Sequence, residues 1–262
     1  MPAEGGMGHI ASSLLVSFGV FIGIFISWEA GRRLALRRRK AESENVGIGA
    51  VEGAVFGLMG LMLAFSFSGA MGRWDARRQM VVEEANDIGT AWLRIALLPQ
   101  GDQPQMRELF RSYVDARIAV YAAPDAENLT LERLAPSSAL QQEIWNHAVA
   151  ACSTPEGDRA RILLLEALNA MFDITTTRRM ATKSHPPQII NVLLIGLVLA
   201  SSLLAGSAMA DNRSRGWVHM TAFALVMSVC IYMVFDLEYP RIGLIRIDAV
   251  DQVIVELRNS MN

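Results

Sequence analysis

The sequence is poor in charged side chains, in cysteine and in histidine. Of its 262 residues, 19% are charged and 52% are hydrophobic, whereas a soluble domain has about 25% charged residues. Two cysteines do not make a disulfide framework, and the four scattered histidines do not make a metal site. The net charge of −2 does not favour a nucleic-acid partner. No nucleophile motif, Walker lysine or dinucleotide-binding loop is present, so the sequence predicts neither an enzyme nor a cofactor.

Charged residues are absent mainly from a few long apolar runs. Four such runs occur, at residues 10–28, 53–72, 189–210 and 217–235. Each is close to the roughly 20 residues that a helix needs to cross a bilayer. Residues 73–186 hold 28 of the 50 charged side chains. The sequence therefore predicts an all-α membrane protein with four transmembrane helices, arranged two and two around a helical insert, and the lipid bilayer as its first partner.

The first run resembles a retained membrane helix more than a cleaved signal peptide. Glu4 precedes it, and no Lys or Arg does. The chain is then expected to divide into a first transmembrane pair with a basic loop, a polar insert, a second pair and a C-terminal tail. The corresponding ranges are 1–72 with loop 29–46, 73–186, 187–236 and 237–262.

Basic residues in the short loops predict the orientation. Loop 29–46 and the loop between spans three and four contain Arg32, Arg33, Arg37, Arg38, Arg39, Lys40, Arg213 and Arg215. Because Lys and Arg of short loops stay in the cytoplasm, both loops are expected there, with the insert outside the plasma (inner) membrane.

The insert is expected to be a helical bundle. Apolar residues at helical spacing predict that span two continues as a helix to about residue 98, followed by helices over about 104–121 and 137–152. A last helix is expected to begin at Thr154-Pro155, with Thr154 as its N-cap. Glu83 and Glu84 point about 100° apart on a helix, so we expect a solvated face rather than a catalytic pair.

Span two carries the most informative pattern. Its glycines form a stripe on one helix face: Gly49, Gly53, Gly57 and Gly60. Such a stripe is typical of close helix packing in lipid, which is one interpretation. The other is a pore, because an adjacent face carries Glu52, Phe56, Leu63 and Phe67, and apolar constrictions gate pores. Glu52 would ring the mouth of that pore, or would lie at the lipid headgroups beside the Arg cluster.

Several short motifs resemble those of the bestrophin-like family of four-span membrane proteins. They are Glu84-Ala85-Asn86 after span two, Leu98-Pro99, Tyr113, and the exit of span four with Asp236, Pro240, Gly243 and Arg246. The resemblance extends over residues 14–246. It implies a homo-oligomer, pentameric by analogy, that conducts chloride or another small ion, with Phe56, Leu63 and Phe67 as neck candidates. Bestrophins keep their helical region in the cytosol, whereas the charge count here places the insert outside.

Two functions follow as hypotheses. The first is an oligomeric ion channel, for anions by analogy, whose second span lines the pore. The second is a membrane-anchored helical scaffold or sensor that binds a partner through the insert. Ion flux through the purified protein distinguishes the two.

Overall fold

Eight α-helices make up the regular structure that the computed structural model describes, together with a short 3-10 helix at Ile95–Leu97. The described residues are 4–38, 48–122, 131–210 and 213–261. In chain order the helices are α1 (Glu4–Arg38), α2 (Ile48–Arg94), α3 (Gln103–Ala122), α4 (Leu131–Cys152), α5 (Asp158–Lys183), α6 (Gln188–Ala208), α7 (Arg213–Leu237) and α8 (Asp248–Ser260). The predicted all-α class is confirmed.

Part of the predicted basic loop is helical. The first helix continues ten residues past the predicted end of span one, to Arg38. Arg32 and Arg33 lie in this extension, where both donate to Glu29 one turn earlier. Residues 39–47, with Arg39 and Lys40, lie outside the described residues, as do the side chains of Arg38, Arg213 and Arg215.

The chain divides into two compact units. The membrane unit is Met7–Gly72 with His185–Tyr239, and the insert unit is Arg73–Ser184 with Met1–Gly6 and Pro240–Asn262. Within the described residues, four helices hold stretches long and apolar enough to cross a membrane, as predicted. Helix α2 contributes residues to both units, because it continues without interruption from the second span into the insert.

The membrane unit packs α1 closely against α6. A Cβ on Gly206 would lie 2.0 Å from the carbonyl oxygen of Trp28, and a Cβ on Gly31 would lie 1.9 Å from that of Leu203. The Ser202 hydroxyl donates to the Ile24 carbonyl at 2.6 Å. The two helix backbones therefore approach so closely that only glycine fits at these crossing points.

The insert unit is a helical bundle that the C-terminal helix completes. Its core is built from apolar side chains of α2, α3, α4 and α5, including Ile88, Phe110, Ile144 and Leu168. Helix α8 adds Ile254 to this core. The segment expected as a tail, 237–262, thus contributes a packed helix.

Two helix starts in the insert differ from the prediction. Helix α4 begins at Leu131, six residues before the expected start, and includes Pro136. Helix α5 begins at Asp158 with Gly157 as its N-cap, three residues later than expected, but the Thr154 hydroxyl still accepts from the Gly157 amide at 3.1 Å, as an N-cap side chain does. The Thr154 hydroxyl also donates to the Ala151 carbonyl at 2.9 Å, in the turn that ends α4.

Candidate functional site

The glycine stripe of α2 faces open space. A Cβ added to Gly49, Gly53, Gly57 or Gly60 would meet nothing within 4 Å. At about 100° per residue, the four positions fall within about 80° of one another. The stripe therefore packs against no other described helix of the same chain, and its packing role stays a prediction about a neighbouring molecule.

Large apolar side chains adjoin this stripe. Leu58, Leu61 and Phe65 are 49%, 51% and 65% exposed and fall within an arc of about 60°. We call these three residues together with Gly53, Gly57 and Gly60 the open face of α2. Only 11% of the most apolar stretch of α2 is buried, against 22–33% for the other three candidate spans. The second span is thus the apolar helix that its own chain covers least.

The four predicted pore residues share an arc of about 60° on α2 but differ in burial. Phe56 lies edge-on to Phe223, with ring centroids 6.3 Å apart, and Leu63 packs against the core of the membrane unit. Phe67 is 43% exposed. Glu52 is half-buried. Phe67 thus borders the open face, whereas Phe56 and Leu63 turn toward the neighbouring helices.

A buried carboxylate lies further along α2, in the insert unit. Glu84 is fully buried, and each of its two oxygens accepts from a guanidinium group. Arg117 of α3 donates through Nε at 2.6 Å, and Arg178 of α5 donates through Nη1. Our expectation that Glu84 lies on a solvated face with Glu83 is therefore wrong. The ion pairs link α2, α3 and α5. Of the two adjacent glutamates, only Glu83 is exposed.

Three guanidinium groups surround the ring of Tyr121. The Cζ atoms of Arg178, Arg241 and Arg117 lie 3.9, 4.8 and 5.0 Å from the ring centroid. Arg117 also donates to the Tyr121 hydroxyl at 2.6 Å. Arg241 forms a bidentate pair with Asp251 of α8, at 2.9 and 3.2 Å. We call Glu84, Arg117, Tyr121, Arg178, Arg241 and Asp251 the arginine cluster.

Burial and charge oppose each other in this cluster. Burial alone would raise the pKa of Glu84, but the charges of Arg117 and Arg178 outweigh it and hold that pKa below its ordinary value. Burial likewise acts to lower the pKa of Arg117, and the Glu84 carboxylate raises it above the usual range. Burial raises the pKa of the Tyr121 phenol. At neutral pH Glu84 and Arg117 are therefore charged and the Tyr121 phenol is protonated.

Two of the motif residues in the insert unit have structural roles. Tyr113 is buried and its hydroxyl accepts from Gln141 at 3.3 Å. The Pro99 carbonyl accepts from the Asp102 amide in the turn before α3. Asn86 is exposed.

The motif at the exit of α7 folds back on itself. Asp236 is buried and accepts from the Tyr232 hydroxyl at 3.1 Å. The Pro240 carbonyl accepts from the Ile247 amide at 3.1 Å, which closes a loop around the buried Gly243. Arg246 donates to the Arg241 carbonyl at 3.1 Å, also in this loop. The motif therefore positions Arg241.

The sequence prediction of site residues includes Glu84 but not the three arginines of the cluster, nor Tyr121 and Asp251. Arg117, Arg178 and Arg241 are far apart in the chain, so no local motif connects them. A signal does exist for Arg117, which occupies an apolar position of α3, four residues after Tyr113 and three before Val120. A charge on the buried stripe of a helix indicates a buried partner.

Among the described residues, no group of three His, Cys, Asp or Glu side chains is arranged to hold a metal ion. The comparison with family models decides the classification. The Bestrophin-like domain matches residues 14–251, which is nearly the whole chain. The chain belongs to the bestrophin-like family. A comparison with curated proteins finds no match by sequence.

Solved bestrophin structures share the fold. A single-substitution variant of a bacterial bestrophin homologue from Klebsiella pneumoniae aligns with a TM-score of 0.68 at 12% identity, over 98% of each chain. A second variant of that homologue aligns with the same TM-score at 13% identity, over 96% of this chain and 98% of the other. This bestrophin-like chain is therefore a membrane protein of the bestrophin fold.

Proposed function

We propose that this chain is the subunit of a homo-oligomeric ion channel, with the open face of α2 at the pore. Chloride or another small anion is the permeant ion by analogy with bestrophins, and a pentamer is the assembly by the same analogy. We also propose that the protein lies in the plasma membrane, with the basic end of α1 in the cytoplasm. The insert is then on the outer side.

The observation that carries the proposal is the low burial of the second span. Lipid tails can surround an apolar helix, so such a helix needs no protein neighbour. A stripe of glycines, however, has no side chains that pack against the lipid tails. Small residues in membrane helices instead allow a second backbone to approach closely. Because no described helix of the chain occupies the stripe at Gly53, Gly57 and Gly60, we infer that a neighbouring copy does.

The large side chains of the open face then supply the constriction. Leu58, Leu61 and Phe65 project beside the glycines, so a ring of copies that packs on the glycines places them toward the axis. Apolar constrictions of this kind gate channels by excluding water. Of the pore candidates predicted from the sequence, Phe67 borders this face and Glu52 stays at the mouth of the span. Phe56 and Leu63 pack against the core of the membrane unit and not toward the open face.

Ion flux through the purified protein in liposomes tests the proposal. We expect chloride efflux from vesicles that contain the wild-type chain, and a several-fold faster efflux for Phe65→Ala, because the smaller side chain widens the constriction. Phe18→Ala is the matched control, since Phe18 is similarly exposed, at 64%, but belongs to α1. Flux that is absent in the wild type and both variants would contradict the channel and favour the scaffold. Equal flux from wild type and Phe65→Ala would contradict the assignment of Phe65.

A further inference from the structure

A pocket opens on the surface of the insert unit, at the start of α3. Its volume is about 460 Å³, which is within the range of small-molecule sites. It is lined by Gln100, Gln103, Pro104, Arg107 and Arg111. Among these described lining residues none is acidic, and two carry a positive charge. The lining therefore favours a negatively charged ligand.

Arg107 is the side chain in this pocket whose charge has no counterion. Its guanidinium group lies over the ring of Trp92, with Cζ 4.7 Å from the ring centroid. In the part of the chain that the structure describes, no carbonyl or carboxylate accepts from its N–H groups. A guanidinium group has five N–H donors in one plane, and stacking on an aromatic ring fixes the orientation of that plane. Arg107 thus offers the pocket a complete and oriented set of donors.

Arg111 adds further donors to the same pocket. It follows Arg107 by one helical turn, and its Cζ lies 5.7 Å from the centroid of the same Trp92 ring. Its Nε donates to the Met261 carbonyl at 2.9 Å, and its Nη1 donates to the Glu108 carboxylate at 2.9 Å. Three of its five N–H groups remain for a ligand. Glu108 is 71% exposed, so water screens its charge and the positive charge of Arg111 is only partly offset.

The number of donors favours a phosphate group over a carboxylate. One guanidinium group is enough to pair with both oxygens of a carboxylate, whereas a phosphate group has at least three acceptor oxygens and can accept from two guanidinium groups at once. The ring of Trp92 is buried beneath the two arginines, so it offers no free face to a nucleobase. The donors therefore select the phosphate group itself.

The position of the pocket favours a water-soluble ligand. Trp92 lies about 30 Å along α2 from Gly72, the end of the second apolar run, at 1.5 Å per residue. This distance exceeds the thickness of the lipid headgroup layer. A lipid phosphate is therefore not the source of the ligand.

We propose that this pocket binds a phosphate group, either as inorganic phosphate or as part of a small water-soluble phosphate ester. Arg107 and Arg111 donate to its oxygens. A phosphate group is much smaller than the pocket, which leaves room for the organic part of an ester beside Gln100 and Gln103. The proposal is separate from conduction, because every residue of the pocket belongs to the insert unit.

Isothermal titration calorimetry of the full chain in detergent tests the site. The probes are inorganic phosphate and glycerol 3-phosphate, with acetate as the carboxylate for comparison, all at an ionic strength held constant with sodium gluconate. We expect the wild type to bind a phosphate probe and Arg107→Gln to weaken this binding about tenfold or more. Arg78→Gln is the matched control, because Arg78 also stacks on a tryptophan of α2, Trp74, at 4.8 Å, but does not line the pocket. Its affinity should equal that of the wild type.

A second variant covers the case in which the loss of Arg107 disturbs the packing of Trp92. Gln100 is exposed and lines the pocket, so Gln100→Glu adds a carboxylate there and leaves both arginines in place. It should weaken phosphate binding several-fold by charge repulsion.

The two probes distinguish the sources of the phosphate group. Tighter binding of glycerol 3-phosphate supports an organic phosphate as the ligand, and tighter binding of inorganic phosphate supports the free ion. Failure of the wild type to bind either probe would overturn the proposal. So would an unchanged affinity in Arg107→Gln, or acetate that binds as tightly as phosphate. None of these results depends on ion flux, so this site and the channel fail separately.

Discussion

Glu84 shows how one buried residue organises the insert. A carboxylate without exposed surface is unfavourable unless it is paired, and here Arg117 and Arg178 pair with both of its oxygens. The two arginines come from different helices, α3 and α5. The position of Glu84 on α2 thus fixes the register of both helices against the one that leaves the membrane.

Substitution of Glu84 is the test of this role. Glu84→Gln leaves the buried Arg117 without a carboxylate and Arg178 with that of Asp251 alone, at 3.7 Å, so we expect it to lower the free energy of unfolding by about 3–5 kcal/mol. Glu83→Gln is the matched control, because the neighbouring side chain is exposed, and its effect should stay within about 0.5 kcal/mol. Denaturant unfolding of the full chain in micelles, followed by circular dichroism, measures both. Equal losses in the two variants would contradict a special role for Glu84.

The sequence alone predicts part of this residue-level structure. It identifies Glu84, Tyr113 and Asp236 through the family motif, but it does not reveal which side chains meet them. Arg117 and Arg178 are 33 and 94 residues away from Glu84. Only the packing of α3 and α5 on α2 brings these charges together, and helical periodicity carries no information about which faces meet.

Glycine has opposite roles on two elements of the membrane unit. On α6, Gly206 meets the Trp28 carbonyl of α1 and has no space for a side chain. On α2, the glycines face outward. The small-residue pattern of α2 is easy to recognise in the sequence, whereas the crossing point of α1 and α6 depends on single glycines without a repeated spacing.

Alanine substitutions on α6 separate a crossing point from an open position. Gly206→Ala should destabilise the protein by about 1–3 kcal/mol, because its Cβ would lie 2.0 Å from a backbone oxygen and force the helices apart. Gly196→Ala on the same helix should be neutral or slightly stabilising, since a Cβ there meets nothing within 4 Å and alanine favours helix. Melting temperatures in detergent check both. A larger loss for Gly196→Ala would contradict the α1–α6 contact.

Long elements were easier to predict than their ends. The continuation of span two into the insert follows from apolar spacing, and α2 does continue to Arg94. The expected start of α5 is a few residues too early, because Thr154 bonds both to the end of α4 and to the Gly157 amide in a turn that precedes the regular helix. Helix α8 was not predicted, although Val250, Ile254 and Leu257 have helical spacing, because their partner surface on the insert is formed by distant residues.

At the scale of the whole molecule, the chain is a membrane unit and an insert unit that share the helix α2. The four spans and the insert follow from the distribution of charge, since bilayer thickness sets the span length. The distribution of charge does not predict which side of α2 packs against the other helices. Phe56 and Phe67 belong to one face in the sequence analysis, but the packing of α7 covers Phe56 and leaves Phe67 exposed. The contacts of a span with other helices decide which of its side chains are exposed.

In the proposed channel, copies of the chain assemble with the open face of α2 toward an axis. Electron cryomicroscopy of the full chain in lipid nanodiscs measures this directly. We predict a closed ring in which the glycines at Gly53, Gly57 and Gly60 contact a neighbouring copy, and Leu61 and Phe65 form the narrowest part of an axial opening. A monomer, or a ring whose axis is lined by α1, α6 or α7, would contradict the account.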